Sequence, residues 1–481
     1  MQKKFVTNLG FLLLLNLLIK PFWLLGIDRS VQNSVGAESY GLYAALFNLS
    51  FLFNILLDVG ITNYNSRNIA QHNHLVQKHL SGILVLRLVL SVVYFMISFL
   101  FAYLFRYRGP ELEILCVLLL NQALLSFILY LRSNISGLHL FKTDSIISVL
   151  DRFIMIILCG VLLWGNITDT PFQIEWFVWT QTFAYIITAI FTFLILTSHV
   201  KKLSLKWDPK FFMIILKKSY PFAILILLMT FYNRIDSVMI ERMLPNGAEQ
   251  AGIYAQAYRL LEAANMIAFL FSGLLLPMFS HMLKHKKPIE ELAELSFSFI
   301  AVPAIMVMAC GVFYSRDLMG LLYFEHVEES SIVFMLIINC FLAMGSVYIF
   351  GTLLTANGNL KQLNLVALSG MILNIALNLI LIPKYQAKGA AIASLFTQFL
   401  TAGAQILLAH TVFKFKFRWA LCIRYLTFIL LAFSLFWFSS QFQTFFIWRV
   451  GFAGGACLLL ALVLHLIRPL ELFKIIKYGD N

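Results

Sequence analysis

The amino-acid sequence predicts an all-α, polytopic membrane protein with about 14 transmembrane helices, arranged as two parallel six-helix repeats plus two C-terminal helices. Three observations predict this fold class. Hydrophobic residues make up 60% of the chain and charged residues only 12%, whereas about a quarter of the residues of a soluble domain are charged. Apolar stretches of about 20 residues, the length of a helix that crosses a bilayer, recur along the whole chain. One short motif occurs twice, once in each half.

The apolar stretches are continuous and lack the alternation of a β-barrel strand, so we interpret them as helices. The first stretch is too long for the apolar region of a signal peptide and ends without a small-residue cleavage site, so we expect it to remain as a span. The predicted spans are residues 8–27, 41–63, 81–105, 113–135, 146–165, 174–197, 220–243, 253–280, 294–315, 330–356, 364–383, 389–413, 421–439 and 447–468.

Basic residues are unevenly distributed between alternate loops. If the N-terminus is inside, the inner segments hold about 20 Lys and Arg residues and the outer segments about six, and short basic loops stay in the cytoplasm. We therefore predict that both termini are cytoplasmic. The net charge of +13 follows from this bias and does not indicate a nucleic-acid partner.

The repeated motif is Gly-Ala-Glu-x-x-Gly-x-Tyr, at residues 36–43 and 247–254. Six predicted spans separate the copies, and an even number returns the chain to the same side of the membrane. We interpret the copies as equivalent outer loops of two parallel repeats, with chance similarity in a biased composition as the alternative. The predicted domains are an N-terminal six-helix half, a cytoplasmic interfacial linker, a C-terminal six-helix half, and two further helices with a tail, which span 1–198, 199–219, 220–415 and 416–481.

The residue types in the motif suit the entry of a helix. A carboxylate in the first turn is stabilised by the helix dipole, glycine allows another helix backbone to approach closely, and tyrosine suits the membrane interface, where we expect Tyr43 and Tyr254. We therefore predict that the two copies form a paired outer gate. Its residues are Gly36, Glu38, Gly41, Gly247, Glu249 and Gly252.

A second set of residues resembles a known family. The stretch LNIALNLILIPKYQAKGAAIAS at 373–394 pairs Asn374 and Asn378 with Pro383 and a following Gly-Ala-Ala. It is similar to the C-terminal-half signature of the O-antigen and capsule repeat-unit flippases, which are polysaccharide-biosynthesis members of the multidrug/oligosaccharidyl-lipid/polysaccharide exporter superfamily. The stretches VGAESYGLY, LLDVGI, NRIDSVMI and AGIYAQAYRLLE fit the same group, and the resemblance covers about residues 8 to 440.

This resemblance implies a flippase that moves a polyprenyl-diphosphate-linked oligosaccharide across the bacterial inner membrane for surface polysaccharide biosynthesis. It also implies membrane lipids, a polysaccharide polymerase and chain-length machinery as partners, and no cofactor. The headgroup is anionic and wet while its tail is apolar. Such a substrate requires a hydrated, partly cationic cavity that is open to the bilayer.

The span 253–280 supplies the first candidate contacts. Tyr258, Glu262 and Asn265 follow helical spacing, and Arg259 lies one turn from Glu262. Charges inside spanning helices are costly and usually face a cavity or a partner, and the resemblance implies a charged pair on this cavity-facing helix. Arg259 is therefore either a substrate contact or half of a self-neutralising pair that permits membrane insertion.

Three more charged residues lie in the N-terminal half. Lys20 directly precedes Pro21, which would kink its helix, and Lys20 either binds substrate or extends toward the membrane surface. Arg87 is either a substrate contact or a cytoplasmic anchor. Asp58 must pair with an arginine or titrate, and a titrating carboxylate would couple transport to protons.

Arg234 and Asp236 lie close together in the span 220–243 but point to nearly opposite sides of the helix. Both side chains therefore cannot face one cavity. We expect Arg234 to face the substrate and Asp236 to act as a charge-pairing or packing partner.

Other functions remain as alternatives. A cation-coupled multidrug antiporter of the same superfamily would have a cavity dominated by carboxylates, whereas the candidate cations here outnumber the candidate anions. A lipid II flippase is a further alternative. A membrane glycosyltransferase or polymerase would usually need a long outer loop, and every outer loop is under about 20 residues. We therefore predict that the chain is not an enzyme.

Several chemical motifs are missing or isolated. No Walker motif for ATP is present, and the six cysteines show no disulfide or zinc spacing. His139 and Asp144 match an acyltransferase pattern, but they stand alone in a short loop. His72, His74 and His79 fit a solvated loop better than a metal site.

Overall fold

The structure is a computed structural model that describes residues 15–16, 18–62, 65, 76–138, 140–165, 167, 169–198, 207–415 and 418–467. All regular elements within these ranges are helices, and ten of them are long and apolar enough to cross a membrane. The predicted fold class, a polytopic all-α membrane protein, is confirmed. His72, His74, His139 and the side chain of His79 lie outside the described residues.

A π-helical turn at Trp23–Asp28 leads into the first long helix, and a short 3₁₀ turn at Asn54–Leu57 follows that helix. The long helices are α1 (Arg29–Leu52), α2 (Val76–Leu104), α3 (Pro110–Gly137), α4 (Phe141–Trp164), α5 (Ile174–Thr197), α6 (Pro209–Met243), α7 (Gly247–Lys284), α8 (Glu290–Leu322), α9 (Val327–Ile337), α10 (Cys340–Ala356), α11 (Leu360–Phe413), α12 (Trp419–Ser440) and α13 (Phe446–Val463).

Several helix starts follow from local sequence. Pro110 occupies the first turn of α3, where its missing N–H costs nothing. Glu111 and Glu113 in the same turn, Glu175 in α5 and Glu249 in α7 place carboxylates at the positive end of the helix dipole. The predicted first-turn position of Glu249 is therefore confirmed.

The connection between the first two predicted spans differs from the predicted outer loop. The chain is helical from residue 18 to Leu52, and one non-helical residue, Gly36, with φ of 79° and ψ of 169°, makes the break. Because a side chain disfavours positive φ, glycine suits this position. The non-helical part of the predicted outer loop is therefore confined to Gly36, and the chain is helical on both sides of it.

The two predicted spans at 364–383 and 389–413 belong to one helical run, α11, with a break at Gln386, whose φ is 54°. The Asn pair of the family signature lies within this run. Asn374 and Asn378 are fully buried, and Asn378 Nδ2 donates a hydrogen bond of 3.2 Å to Asn374 Oδ1. The amides therefore partly satisfy each other inside an apolar helix.

The chain divides into two compact units, Met1–Gly252 and Ile253–Asn481. In the first unit, α1 packs along α6 and α3 packs along α5. Its main apolar cluster includes Ile83, Leu131 and Ile215, all of which are buried. The predicted repeat boundaries and the linker at 199–219 stay a prediction.

In the second unit, α10 packs along α11, and α12 and α13 pack together and against α8. Ala453, Cys457 and Ala461 follow four-residue spacing on α13 and are fully buried with Phe428 and Phe436 of α12. Small residues at this spacing allow close helix packing in a membrane.

This contact predicts the effect of a larger residue. Cys457→Phe should overfill the contact and lower the free energy of unfolding by about 1–3 kcal/mol, measured by thermal unfolding in detergent micelles. Leu459→Phe is the control, because Leu459 lies on the same helix and is 66% exposed. Equal melting temperatures for the two variants would contradict this packing.

Candidate functional site

The two copies of the repeated motif contact each other within the first unit. A methyl group on Gly41 would overlap the Ala248 carbonyl oxygen and lie 2.9 Å from its carbonyl carbon. A methyl group on Gly252 would lie 2.7 Å from the carbonyl carbon of Ala37. Each glycine thus admits the backbone of the other copy, and the predicted close approach is confirmed.

Side chains around this glycine contact hold it in place. Gln32 Nε2 donates a hydrogen bond of 3.2 Å to the Gly252 carbonyl oxygen. Glu38 is exposed, whereas Tyr43 is buried, and its hydroxyl accepts a hydrogen bond of 2.9 Å from Gln181 Nε2. Tyr254 is also buried. Both rings are thus packed inside the protein, while the expectation that these tyrosines lie at the depth of the membrane interface stays a prediction.

Asp58 and Arg87 form an ion pair in the first unit. Arg87 is 5% exposed, and its Nη2 contacts Asp58 Oδ1 and lies 2.8 Å from Thr62 Oγ1. Its Nη1 donates to the Ser126 carbonyl oxygen at 2.7 Å, and the guanidinium lies 4.7 Å from the centroid of the Tyr130 ring. Both terminal nitrogens are occupied by protein acceptors. This geometry favours a structural role for the pair over a cytoplasmic anchor.

Lys20 is half-buried in a network of alternating charges. Asn16 Nδ2 donates a hydrogen bond of 3.1 Å to Ser148 Oγ, which holds the first span against α4. The Arg152 guanidinium lies 5.3 Å from the Trp23 ring and 5.9 Å from the Tyr185 ring. Three cations and three carboxylates meet here, so the network is balanced. They are Lys20, Arg132, Arg152, Asp28, Asp144 and Asp151.

Arg234 and Asp236 differ in their surroundings. Arg234 is half-buried, its Nη1 donates a hydrogen bond of 3.0 Å to Asn48 Oδ1, and its guanidinium lies 4.5 Å from the centroid of the Phe51 ring. Asp236 is 1% exposed. The structure thus gives Arg234 the more accessible position, while the roles of both residues stay predictions.

A polar cluster joins the α2–α3 connection to the end of α6. Tyr107 donates a hydrogen bond of 2.7 Å to Glu241 Oε2, and the Arg242 guanidinium lies 3.5 Å from the centre of the Tyr107 ring. Arg242 Nη2 also lies 2.6 Å from Glu111 Oε2. Burial, and then the charge of Glu241, raise the pKa of Tyr107 above its ordinary value, so its hydroxyl keeps its proton and donates.

The second unit contains the charged pair of α7. Arg259 Nη1 lies 2.6 Å from Glu262 Oε2, and both side chains are about one-fifth exposed. Tyr258 stacks on Tyr254 with ring centroids 5.8 Å apart. Asn265 Nδ2 lies 3.4 Å from the Tyr348 hydroxyl. The structure therefore brings Arg259 and Glu262 together as a partly accessible pair, with an aromatic and an amide side chain on the same helix.

Sequence reasoning missed several of these partners. Asp28 is buried and accepts a hydrogen bond of 2.7 Å from the Tyr40 hydroxyl, although the sequence placed it at the end of a span. Asp144 pairs with Arg132 at 2.8 Å. The sequence did contain a signal for these pairs, because an acidic residue inside or beside a span requires a partner.

Comparison with known proteins gives the following relationships. The family model described as "Polysaccharide biosynthesis protein" matches residues 5–283. No curated protein sequence matches the chain significantly. Among solved structures, "Lipid II flippase MurJ, inward closed conformation" is similar with a TM-score of 0.71 and 14% identity, over 97% of this chain and 99% of that chain.

Two further solved structures share the fold. A "multidrug resistance MATE family transporter of the MOP superfamily" in an inward-facing conformation has a TM-score of 0.64 and 14% identity, over 83% of this chain and 98% of that chain. A "MOP superfamily transporter from Pyrococcus furiosus" has a TM-score of 0.59 and 14% identity, over 85% and 95% of the two chains. At these identities the similarity shows the fold alone.

The glycine contact predicts intolerance of side chains. Gly41→Ala should force the two backbones apart and lower the melting temperature of the purified protein. Gly403→Ala is the control, since a methyl group on Gly403 meets no described atom within 4 Å and alanine favours the helix by about 0.5–1 kcal/mol. A Gly41→Ala protein as stable as Gly403→Ala would refute the close contact.

The Asp58–Arg87 pair predicts coupled effects. Arg87→Met should leave the half-buried Asp58 carboxylate without its counter-ion and destabilise the protein by about 1–3 kcal/mol, whereas the Asp58→Leu/Arg87→Met double variant should recover most of the loss. Thermal unfolding of the single and double variants measures this, with exposed Arg108→Met as the control. Additive losses in the double variant would argue against a pair.

Proposed function

We propose, from the premise that this chain belongs to the polysaccharide biosynthesis protein family, that it is a flippase for a polyprenyl-diphosphate-linked oligosaccharide. The family and the shared fold support a flippase or transporter. The observation that carries the choice of an anionic substrate is the set of cationic side chains inside its helices. Among the predicted substrate contacts, the partly exposed cations are Lys20, Arg234 and Arg259.

The substrate sets a specific electrostatic problem. A diphosphate and a hydrated sugar must pass the hydrocarbon layer while the polyprenyl tail remains in it. Arginine forms strong, often bidentate hydrogen bonds with phosphate, so a hydrated pathway with arginine side chains lowers the cost of the crossing. We infer that Arg259, Arg234 and Lys20 contact the diphosphate in turn.

The Arg259–Glu262 pair suits reversible binding. Glu262 lies 2.6 Å from Arg259 and compensates its charge. A phosphate would compete with the carboxylate for the guanidinium, so binding exchanges one anion for another and leaves Arg259 paired throughout. Tyr258 and Asn265 would then offer a stacking surface and an amide to the sugar units.

We propose transport by alternating access, in which two six-helix halves rock against each other. The paired glycine motif would serve as the outer gate. The close backbone contact of Gly41 with Ala248 supports this assignment, because such a contact excludes water without any large side chain having to move. The Asp58–Arg87 pair would brace the N-terminal half.

The distribution of Lys and Arg supports cytoplasmic termini. We propose that the protein lies in the bacterial inner membrane and that its substrate serves surface polysaccharides such as O-antigen or capsule. A polysaccharide polymerase and chain-length machinery would be the proteins that receive it on the outer side.

A cation-coupled multidrug antiporter is the second candidate, favoured by the fold shared with a MATE family transporter. That function requires carboxylates that are accessible to a cationic drug. Asp58 is instead bound to Arg87, and Glu262 to Arg259. The pairing of both carboxylates supports the flippase over the antiporter.

The test is flipping of a fluorescent polyprenyl-diphosphate oligosaccharide in proteoliposomes at matched protein levels. Arg259→Gln removes the charge that would meet the diphosphate, and we expect the rate to fall by about tenfold or more, since a hydrogen bond to a charged group contributes about 1.5–3 kcal/mol. Arg316→Gln is the control, because Arg316 lies in the same unit but is 77% exposed in a surface pair with Glu328.

The outcomes separate the two candidates. Flipping by the wild type and the Arg316→Gln control, with loss in Arg259→Gln, would support both the substrate class and the role of Arg259. Absence of flipping together with proton-driven export of an organic cation would favour the antiporter. Full flipping by Arg259→Gln would remove Arg259 from the pathway.

A further inference from the structure

The second unit contains a cavity of about 220 Å³ at one end of its helices. The first turns of α8 and α12, together with the last turn of α11, form its walls. We call this cavity the α8–α12 pocket. It is separate from the Arg259–Glu262 pair and from the glycine gate, and neither of those sites contributes a residue to its walls.

The walls of the pocket are mainly aromatic. Phe297 packs edge-on against Tyr425 with ring centroids 5.4 Å apart and lies 5.8 Å from Phe350. The Tyr425 hydroxyl lies 2.7 Å from Ser298 Oγ, which satisfies its polar end and fixes its ring. These rings form a fixed apolar surface on which a hydrocarbon group can pack.

The rim of the pocket carries an uneven set of charges. Arg418 Nη1 donates a hydrogen bond of 2.9 Å to Glu294 Oε2, while its Nη2 lies 3.6 Å from Glu290 Oε1. Glu290 Oε1 is buried, and no donor within the described part of the chain makes a hydrogen bond to it. Two carboxylates thus share one guanidinium. Within the described part of the rim, Glu290 Oε1 is therefore a buried carboxylate oxygen without a hydrogen-bond donor.

We propose that the α8–α12 pocket binds the headgroup of a phospholipid with a primary ammonium group, such as phosphatidylethanolamine. The ammonium donates to Glu290, the phosphate faces Arg418, and the start of the acyl region packs on the aromatic wall. The ammonium supplies the hydrogen-bond donor that Glu290 Oε1 lacks within the described part of the chain.

The headgroup chemistry selects among membrane lipids. A primary ammonium has three N–H donors and can bond directly to a carboxylate, whereas a choline group has no N–H. A phosphatidylglycerol headgroup would add a negative charge next to Glu290 and Glu294. The expected order of affinity is therefore phosphatidylethanolamine, then phosphatidylcholine, then phosphatidylglycerol.

The size and place of the pocket fit a headgroup. A volume of 220 Å³ corresponds to about seven water molecules and is below the range of about 300–1,000 Å³ that encloses a drug-sized ligand. The helix ends that line it adjoin residues 281–293 and 414–420, which the distribution of basic residues places on the cytoplasmic side. The headgroup would come from that leaflet, with its chains left in the bilayer.

Cys422 lines the pocket and provides a reporter of its occupancy. Cys116 and Cys422 are exposed, while the other four cysteines are buried or half-buried. In a Cys116→Ser background, the alkylation rate of Cys422 by a maleimide, followed by intact mass spectrometry, therefore measures access to the pocket. This readout needs no transport, so it is independent of the proposed function.

The experiment uses the full chain in phosphatidylglycerol nanodiscs with increasing fractions of phosphatidylethanolamine or phosphatidylcholine. We expect phosphatidylethanolamine to protect Cys422 at about one-tenth of the fraction that phosphatidylcholine requires. Glu290→Gln should raise that fraction about tenfold. Glu291→Gln is the matched control, because Glu291 is exposed in the same helical turn and does not line the pocket, and it should change the fraction by less than about twofold.

Three outcomes would overturn the proposal. Equal protection by the two lipids would remove the role of the ammonium N–H donors. Protection by phosphatidylglycerol or by a polyprenol alone would show that the aromatic wall binds any chain. Unchanged protection in Glu290→Gln would exclude Glu290 as the acceptor. The comparison of lipids on the wild type needs no variant, so it decides the matter even where Glu290→Gln fails to fold.

Discussion

A charge inside a membrane-spanning helix must be compensated within the protein, because hydrocarbon offers neither water nor ions. This constraint organises the polar interior of both units. Arg87 is held by Asp58 and by Ser126, and Arg259 by Glu262. The Arg87 side chain is 6% exposed and braces helices, whereas the Arg259 side chain is 16% exposed, and we propose that it exchanges its partner for a ligand. The difference in exposure between Arg87 and Arg259 therefore separates a structural charge from a candidate substrate contact.

Sequence analysis could predict what depends on neighbouring residues. Apolar stretches gave the helices, and Arg259 with Glu262 one turn later gave a local pair that the structure contains. Pairs that join distant parts of the chain could not be predicted. Arg87 and Asp58, for example, are 29 positions apart. A single sequence shows that a residue needs a partner but does not show which partner it has. The sequence showed that Asp58 needs a partner, but which residue supplies that partner depends on how the helices pack.

Two local features differ from the average behaviour of their residue types. Tyrosine favours membrane interfaces on average, yet the Tyr43 side chain is buried and its hydroxyl accepts a hydrogen bond from Gln181. The connection around Gly36 was expected to be a loop, yet one residue with positive φ makes the turn. Composition describes the average environment of a residue type, while a buried hydrogen bond or a single glycine with positive φ can override that average. The contact between Gly41 and Gly252 could be predicted from the sequence only because the motif occurs twice.

The cluster around Tyr107 links parts of the first unit that are distant in sequence. The Glu241 side chain accepts from Tyr107, and its backbone carbonyl group lies directly against Gly247 at the start of the second motif copy. Arg242 adds a contact to Glu111 at the start of α3. A displacement of the turn at Gly247 would therefore be transmitted to α3 through two adjacent residues, Glu241 and Arg242. Motion of this motif copy would be shared with a helix that is far from it in the chain.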